Sequence, residues 1–185
     1  MARVADDLVL VNGLPGAGKS TLATELARTV CAPLLSKDAI KEALADVVGT
    51  AARSALGSAA MEAAWTIAAG LPGLVVMESW WFKPRDIGHV RAGLDRCGAS
   101  AVVEVWCQVP PDVARRRFEI RRRHPVHDDR QRLAEAWSEW AASPEPLGVG
   151  RTVRVDTTGP VDIGALAQRI LRSLAGAQNS TSSTS

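Results

Sequence analysis

Apolar residues run along this chain in two rhythms that alternate from end to end. Continuous apolar runs occur at 8–13 ("LVLVNG"), 74–78 ("LVVME") and 101–109 ("AVVEVWCQV"), and weaker ones at 32–35 ("APLL") and 152–157 ("TVRVDT"). Their length and bounding residues predict strands buried on both faces of a parallel sheet. Between them the spacing becomes helical. Leu22, Leu26 and Val30 form one stripe, and Ile40, Ala43, Leu44, Val47 and Val48 the next. Leu56, Ala60, Ala63 and Ile67 mark a helix over 53–69 that ends at "GLPG", and Ile87, Val90, Leu94 and Cys97 mark another. Residues 112–123 and 128–141 predict two helices broken at His124 and Pro125, and Ile163, Leu166, Ile170 and Leu174 a closing one. This alternation predicts an α/β fold of five parallel strands with helices on both faces and right-handed crossovers. No repeat or second domain interrupts it. Residues 1–176 are expected as one domain, and the small polar side chains of 177–185 as a disordered tail that cannot bury enough surface to order itself.

The first apolar run does not pass smoothly into its helix. "VNGLPGAGKSTLA" (11–23) interposes three glycines and a proline, and Gly13-x-x-x-x-Gly18-Lys19-Ser20 has P-loop spacing in the required setting of buried strand, loop and amphipathic helix. A loop wrapped around phosphate turns successive N–H groups inward, which side chains at Gly13, Gly16 and Gly18 would obstruct; Pro15 and Ala17 complete it. The helix starting near Lys19 adds its positive end. Lys19 is expected to reach the β- and γ-phosphates of ATP, Ser20 to ligate Mg²⁺, and Thr21 to contact the α-phosphate side.

Composition limits what else the chain can be. Twenty-two Lys and Arg against 20 Asp and Glu leave a net charge of +2, too small for the whole molecule to act as a nucleic-acid or membrane binder, so any basic surface is local. Cys31, Cys97 and Cys107 lack CxxC or His-flanked spacing, which argues against a disulfide framework or a zinc site. With no signal-peptide pattern and no apolar run near the roughly 18 residues a membrane helix needs, a cytoplasmic protein is expected.

Four further groups can complete a site around the loop. Asp38, in "LLSKDAIKEALAD" (34–46), follows the second strand at the sheet edge that the P-loop occupies. There it can take a proton from an attacking hydroxyl, order the water shell of Mg²⁺, or cap the next helix. Glu78 closes the third strand, as a holder of metal-bound water or an ordinary strand-end residue. Trp80, Trp81 and Phe82 follow it and can wall a ring-shaped substrate or anchor the next helix; Met61 and Trp65 are expected in the core. "ARRRFEIRRRHPVHDDRQR" (114–132) concentrates arginine without interleaved aromatics for stacking bases. A solvated face or an RNA-binding surface is open, but a helical lid over about 112–141 is expected, laying guanidinium groups on the transferring phosphoryl. Arg117 and Arg121, four apart, are the expected inward pair, with Arg123 next. His124 and His127 have no third ligand in sight and are expected as turn residues.

"GLPGAGKST", the "SKD" after the second strand and "RRRFEIRRRHPVHDD" together resemble the small P-loop kinases grouped with chloramphenicol phosphotransferase, the kinase half of polynucleotide kinase and zeta-toxin-like kinases, over about residues 7–175. The resemblance implies a P-loop NTPase fold of the nucleoside-monophosphate-kinase type with a helical lid, a general base at Asp38, and lid arginines at Arg117 and Arg121. It also implies that "VDTTG" (155–159) touches adenine, through Thr158 and Gly159. Such kinases commonly carry Asp after the third strand, where this chain has Glu78 and Ser79, and "WWF" is a departure too. The expectation is an ATP- and Mg²⁺-dependent kinase acting on a hydroxyl of a small molecule: an antibiotic, a nucleoside or a sugar-like metabolite. A polynucleotide 5′-hydroxyl kinase is the alternative, and a nucleotide-binding regulatory switch without an acceptor is the reading from another class.

Overall fold

Alternate residues of the first strand feed two separate cores. In the computed structural model, which describes residues 5–127 and 129–181, Leu8 and Leu10 of β1 (Ala5–Asn12) pack with Trp65, Val75, Met77 and Val90, while Val9 and Val11 pack on the other face with Leu22, Leu26, Val105 and Leu166. All four are at most 1% exposed. Complete burial of such a side chain stabilises by about 1.5–3 kcal/mol, so the unbroken apolar run expresses a strand covered on both faces.

The elements then follow as α1 (Lys19–Thr29), β2 (Leu34–Ser36), α2 (Lys37–Val48), α3 (Arg53–Gly70), β3 (Gly73–Glu78), α4 (Lys83–Cys97), β4 (Ala101–Gln108), α5 (Pro111–Ile120), a single 3-10 turn (Pro125–His127), α6 (Asp129–Ala142), β5 (Arg151–Asp156) and α7 (Ile163–Thr181). The five strands form one parallel sheet in the order β2-β3-β1-β4-β5. This is the α/β P-loop NTPase arrangement, nucleoside-monophosphate-kinase-like, with helices on both faces. Because β3 lies between β1 and β2, the register sets Glu78 opposite both Val11 and Ser36. An acid is thereby brought beside the P-loop from 58 residues away in sequence from Ser20.

Element boundaries differ from the sequence reading by one to five residues, and β1 begins three residues early, at Ala5. β2 begins at Leu34, because the Ala32 N–H closes the turn after α1 on the Ala27 carbonyl (2.9 Å). α5 stops at Ile120, three residues short of 123: Arg121 adopts an extended backbone (ψ 141°) and lays its guanidinium over the Phe118 ring. Finally, α7 continues to Thr181, so residues 177–181 of the expected disordered tail prolong a helix; 182–185 lie outside the described residues. Trp65 is core, as expected, and its indole lies so close to α4 that a methyl at Gly93 would collide with it. Among the described residues no helix is long and apolar enough to cross a membrane.

Candidate active site

The P-loop glycines take backbone conformations that L side chains rarely adopt, with φ of 146° at Gly13, 86° at Gly16 and 83° at Gly18. Gly16 is doubly constrained, since a methyl there would strike the Ala114 carbonyl of α5. Gly18 caps α1 without a side-chain acceptor, which leaves the first N–H groups of the helix to a ligand anion. The Lys19 ammonium, 8% exposed, donates to the Leu14 carbonyl across the loop at 3.0 Å. Burial lowers its pKa, against the pull of Glu78, Cys107 and Asp38. Pro15 and Ala17 lie inside the same loop, and Thr21 on the exposed side of α1.

Glu78 is 3% exposed, and its two carboxylate oxygens accept from the hydroxyls of Ser20 (3.2 Å) and Ser36 (2.8 Å). No cluster of three or more His, Cys, Asp or Glu able to hold a metal occurs among the described residues. One buried carboxylate beside one hydroxyl at a phosphate loop is the oxygen-only, incomplete donor set that suits Mg²⁺, which keeps several waters and takes other ligands from nucleotide phosphates. Ser20 and Glu78 are the residues that would hold it.

Asp38 does not cap α2. Ser36 does, accepting from the Ala39 N–H at 3.4 Å. Asp38 sits in the first turn, half-buried, with Arg123 Nη2 2.5 Å from Oδ2 and Lys37 Nζ 3.5 Å from Oδ1. Burial pushes its carboxyl up, but Arg123, Lys37, His127 and Lys19 outweigh that and hold it well below the usual carboxylate range. Two further acids follow on α2 at intervals of four: Glu42 meets His127 Nε2 (2.6 Å) and Asp46 meets His124 Nε2 (3.1 Å). Lys41, 1% exposed, donates to the Val126 carbonyl at 3.1 Å. The histidines read from sequence as turn residues are therefore the pins that fasten the segment after α5 to α2, and Lys41 and Glu42 were missed.

That fastening has a pH signature. Burial first, then Arg123, lowers the pKa of His127 below its ordinary 6.5, against Asp38 and Glu42. A group depressed in the folded state contributes its stability above the unfolded pKa and loses it as pH falls through the folded value. Thermal denaturation scanned from about pH 7.5 down to about pH 5 should therefore show stability falling below about 6.5, and His127→Gln should flatten the decline. An unchanged pH slope in the variant would assign the titration elsewhere.

The arginines separate into distinct places. Arg117 does not face Asp38: its guanidinium donates to the carbonyls of Thr157 (2.9 Å) and Thr158 (2.8 Å), tying α5 to the loop after β5. That loop is shaped by Asp156, which accepts from the Thr158 N–H (2.8 Å) and hydroxyl (2.6 Å); Gly159 follows, exposed. Arg121 and Arg123 both line a cavity of about 440 Å³ shared with Pro15, Lys19 and Asp38. Since Arg121 lies beyond the end of α5, it does not share a helical face with Arg117. Trp80 and Trp81 also line the cavity, with Met61, Trp65, Phe118 and Trp140, but Phe82 is turned into the core at 8% exposed and its N–H donates to Asp86 (2.8 Å) at the start of α4. Phe82 takes the packing role, the second of the two uses the sequence left open for it.

A buried amide joins the two halves of the site. Asn12, fully buried, accepts from the N–H groups of Gly13 (2.8 Å) and Trp81 (3.1 Å) and donates to the Trp81 carbonyl (3.2 Å) and to Glu104 (3.1 Å). Glu104, also fully buried, accepts in addition from the N–H groups of Leu147 (2.8 Å) and Gly148 (2.9 Å). The only sequence signal for either was a polar residue inside an apolar strand run.

The model of the AAA_33 family, described as an AAA domain, matches residues 8–147. Among solved structures, a "putative kinase" from Chloroflexus aurantiacus J-10-fl is similar over 94% of this chain and 100% of its own, at 28% identity and a TM-score of 0.76. A gluconokinase from Sinorhizobium meliloti 1021 (19% identity, 99% of each chain, TM-score 0.58) and a shikimate kinase from Bacteroides thetaiotaomicron (19% identity, 89% of this chain and 96% of that one, TM-score 0.54) share the fold. No curated relative matches.

Proposed function

This chain belongs to the AAA_33 family of AAA domains, and on that premise we propose that it is an ATP-dependent kinase that moves the γ-phosphoryl group to a hydroxyl of a small molecule. The observation that carries the reading is that one cavity is walled by the P-loop lysine, Lys19, by Asp38 and by two tryptophans, so that a phosphoryl donor and a ring-sized acceptor can meet at a carboxylate.

In the proposed reaction, Lys19 exchanges the Leu14 carbonyl for the β- and γ-phosphate oxygens, and Arg121 offsets charge on the transferring group. Mg²⁺ bound at Ser20 and Glu78 supplies neutralisation of phosphate charge. The acceptor oxygen forms its bond to the γ-phosphorus as the bond to the β–γ bridging oxygen breaks, and its proton passes to Asp38. A carboxylate held ionised by Arg123 and Lys37 suits this role, because a loose transition state asks little of the base until bond formation is advanced. Thr158, whose carbonyl Arg117 holds, and Gly159 after it border the nucleotide base.

Several arginines of the basic run are matched by acids, Arg115 with Glu119, Arg116 with Asp112 and Arg123 with Asp38, which favours a small acceptor over a polynucleotide. Incubation with ATP and Mg²⁺ across aminoglycosides, phenicol-like compounds, nucleosides, sugars, sugar acids and 5′-hydroxyl oligonucleotides, read by ³¹P NMR, tests the reading. A new phosphate ester on a small molecule is the expected result. Transfer confined to oligonucleotides, with binding that weakens steeply in salt, would replace it by the polynucleotide alternative. ATP-dependent capture of a protein partner with no ester formed would replace it by the regulatory switch.

A further inference from the structure

Arg123 has a carboxylate on either turn of α2. Its Nη2 lies 2.5 Å from Asp38 Oδ2 and 4.0 Å from Oε1 of Glu42, four residues further along the helix. His127 completes the group, with Nε2 3.0 Å from Arg123 Nη2 and 2.6 Å from Glu42 Oε1, and Nδ1 4.0 Å from Asp38 Oδ1. Asp38 and Arg123 line the cavity, whereas Glu42 and His127 stand behind them.

The members of this group are held in different ways. Residues 121–124 belong to no helix or strand, so no ladder of backbone bonds sets the direction of Arg123. The turn that carries His127 is fixed. Val126 is 0% exposed in a small cluster with Ala45 and Leu56, Lys41 donates to its carbonyl at 3.1 Å, and its N–H donates to His124 Nδ1 at 3.1 Å. His127 itself is 3% exposed. A ring nitrogen and a carboxylate oxygen 2.6 Å apart need a proton between them, since two lone pairs would repel; the neutral ring therefore carries its proton on Nε2 and donates to Glu42. Glu42, so anchored, adds a second negative charge to the surroundings of Arg123. A chain of contacts thus starts in a buried turn and ends at Asp38. A base must be held within hydrogen-bond reach of the hydroxyl it serves. Arg123 takes Oδ2 of Asp38, and Oδ1, with Lys37 at 3.5 Å, is the oxygen left to meet an acceptor.

We propose that Glu42 and His127 are positioning residues for phosphoryl transfer: they hold Arg123 in place, and Arg123 in turn fixes the Asp38 carboxylate at the cavity. The inference rests on the kinase reading for the use of that carboxylate, and on the contacts alone for the way it is held.

The Asp38 carboxyl reports where Arg123 is. It is faced by Lys37 on its own helix, by Lys19 of α1, and by Arg123 and His127 of the segment after α5. An adjacent arginine lowers such a carboxyl by about 1–3 pKa units. The test uses the full chain, ¹³C-labelled at the aspartate carboxyls, with Asp38→Asn assigning the signal. In the wild type Asp38 should stay ionised to the lowest pH at which the fold persists, and in Arg123→Ala it should titrate at higher pH. Glu42→Gln, an isosteric change at a half-buried site, discriminates by sign. Loss of a negative charge, acting through space, lowers the Asp38 pKa, so a rise reports a displaced Arg123. A rise is expected, and the double variant should titrate no higher than Arg123→Ala alone. His127→Ala should also raise the pKa, and His127→Gln, which keeps a donor for Glu42, should raise it less. Should the histidine variants fold poorly, Glu42→Gln decides. With the acceptor found by the ³¹P screen, Glu42→Gln should lower kcat roughly threefold to tenfold with both KM values nearly unchanged. The proposal is overturned if Glu42→Gln leaves the Asp38 titration unmoved or lowers it, if its rise persists in full beside Arg123→Ala, or if kcat is unchanged. The titration holds no nucleotide or acceptor. A responsive Asp38 in a protein that phosphorylates nothing in the screen would sink the kinase reading alone, and an ester formed by a protein whose Asp38 ignores Glu42 would sink the positioning role alone.

Discussion

Asp38→Asn should lower kcat for phosphoryl transfer by about 10²–10⁴-fold, the usual worth of a positioned general base, with ATP affinity nearly unchanged. The substitution also weakens the hold on Arg123, whose Nη2 lies 2.5 Å from the carboxylate. Arg123→Ala separates the two effects, because it releases the same contact while leaving the carboxylate in place. A base role requires Asp38→Asn to lose far more activity than Arg123→Ala. Equal losses would make Asp38 an anchor for the segment after α5, and undiminished transfer in Asp38→Asn would show the base assignment to be wrong.

Lys19→Met should lower kcat by about 10²–10³-fold, the scale seen when one preorganised donor is removed from developing charge. Its effect on the fold should run the other way. The folded protein holds the ammonium away from water, with burial lowering its pKa, and methionine fills similar space without a charge to desolvate. In urea unfolding without nucleotide the variant should match or exceed the wild type, while the stabilisation given by ATP and Mg²⁺ should shrink, since ligand stabilisation follows affinity for the native state. Loss of stability without nucleotide would mean that the Lys19 to Leu14 hydrogen bond outweighs the desolvation.

The strand order of the molecule could not be read from periodicity, but the positions of the strands could, because a strand covered on both faces leaves an uninterrupted apolar run. The P-loop was legible for the same kind of reason: positive φ and close approach to Ala114 restrict Gly16 so strongly that the residue type records the geometry. The arginines were harder. Spacing of four implies a shared face only while the helix lasts, and α5 ends at Ile120, which sends Arg117 to the Thr157 and Thr158 carbonyls and Arg121 to the cavity. Asp38, Glu42 and Asp46 do carry a readable signal, three acids at helical spacing facing a basic segment about 80 residues on, but nothing local says that the two meet. Asn12 and Glu104 show the same limit, since their partners come from strands and loops joined only by the folded sheet.

The Asn12 side chain gives the enzyme a division of labour in how it can change. Its amide grips the Gly13 N–H on the phosphate loop and the Trp81 backbone beside the cavity, so any displacement of residues 80 and 81 is transmitted to the nucleotide loop through one rigid group. New ligand preferences gained by moving that backbone would disturb ATP handling in the same step. On the opposite wall Met61 and Ser58 of α3 and His89 of α4 line the cavity, and among the described residues none of these three hydrogen-bonds to the phosphate loop. Diversification of this scaffold, by natural drift or by a protein engineer, is therefore channelled toward α3 and α4, while the tryptophan wall stays under the control of the nucleotide.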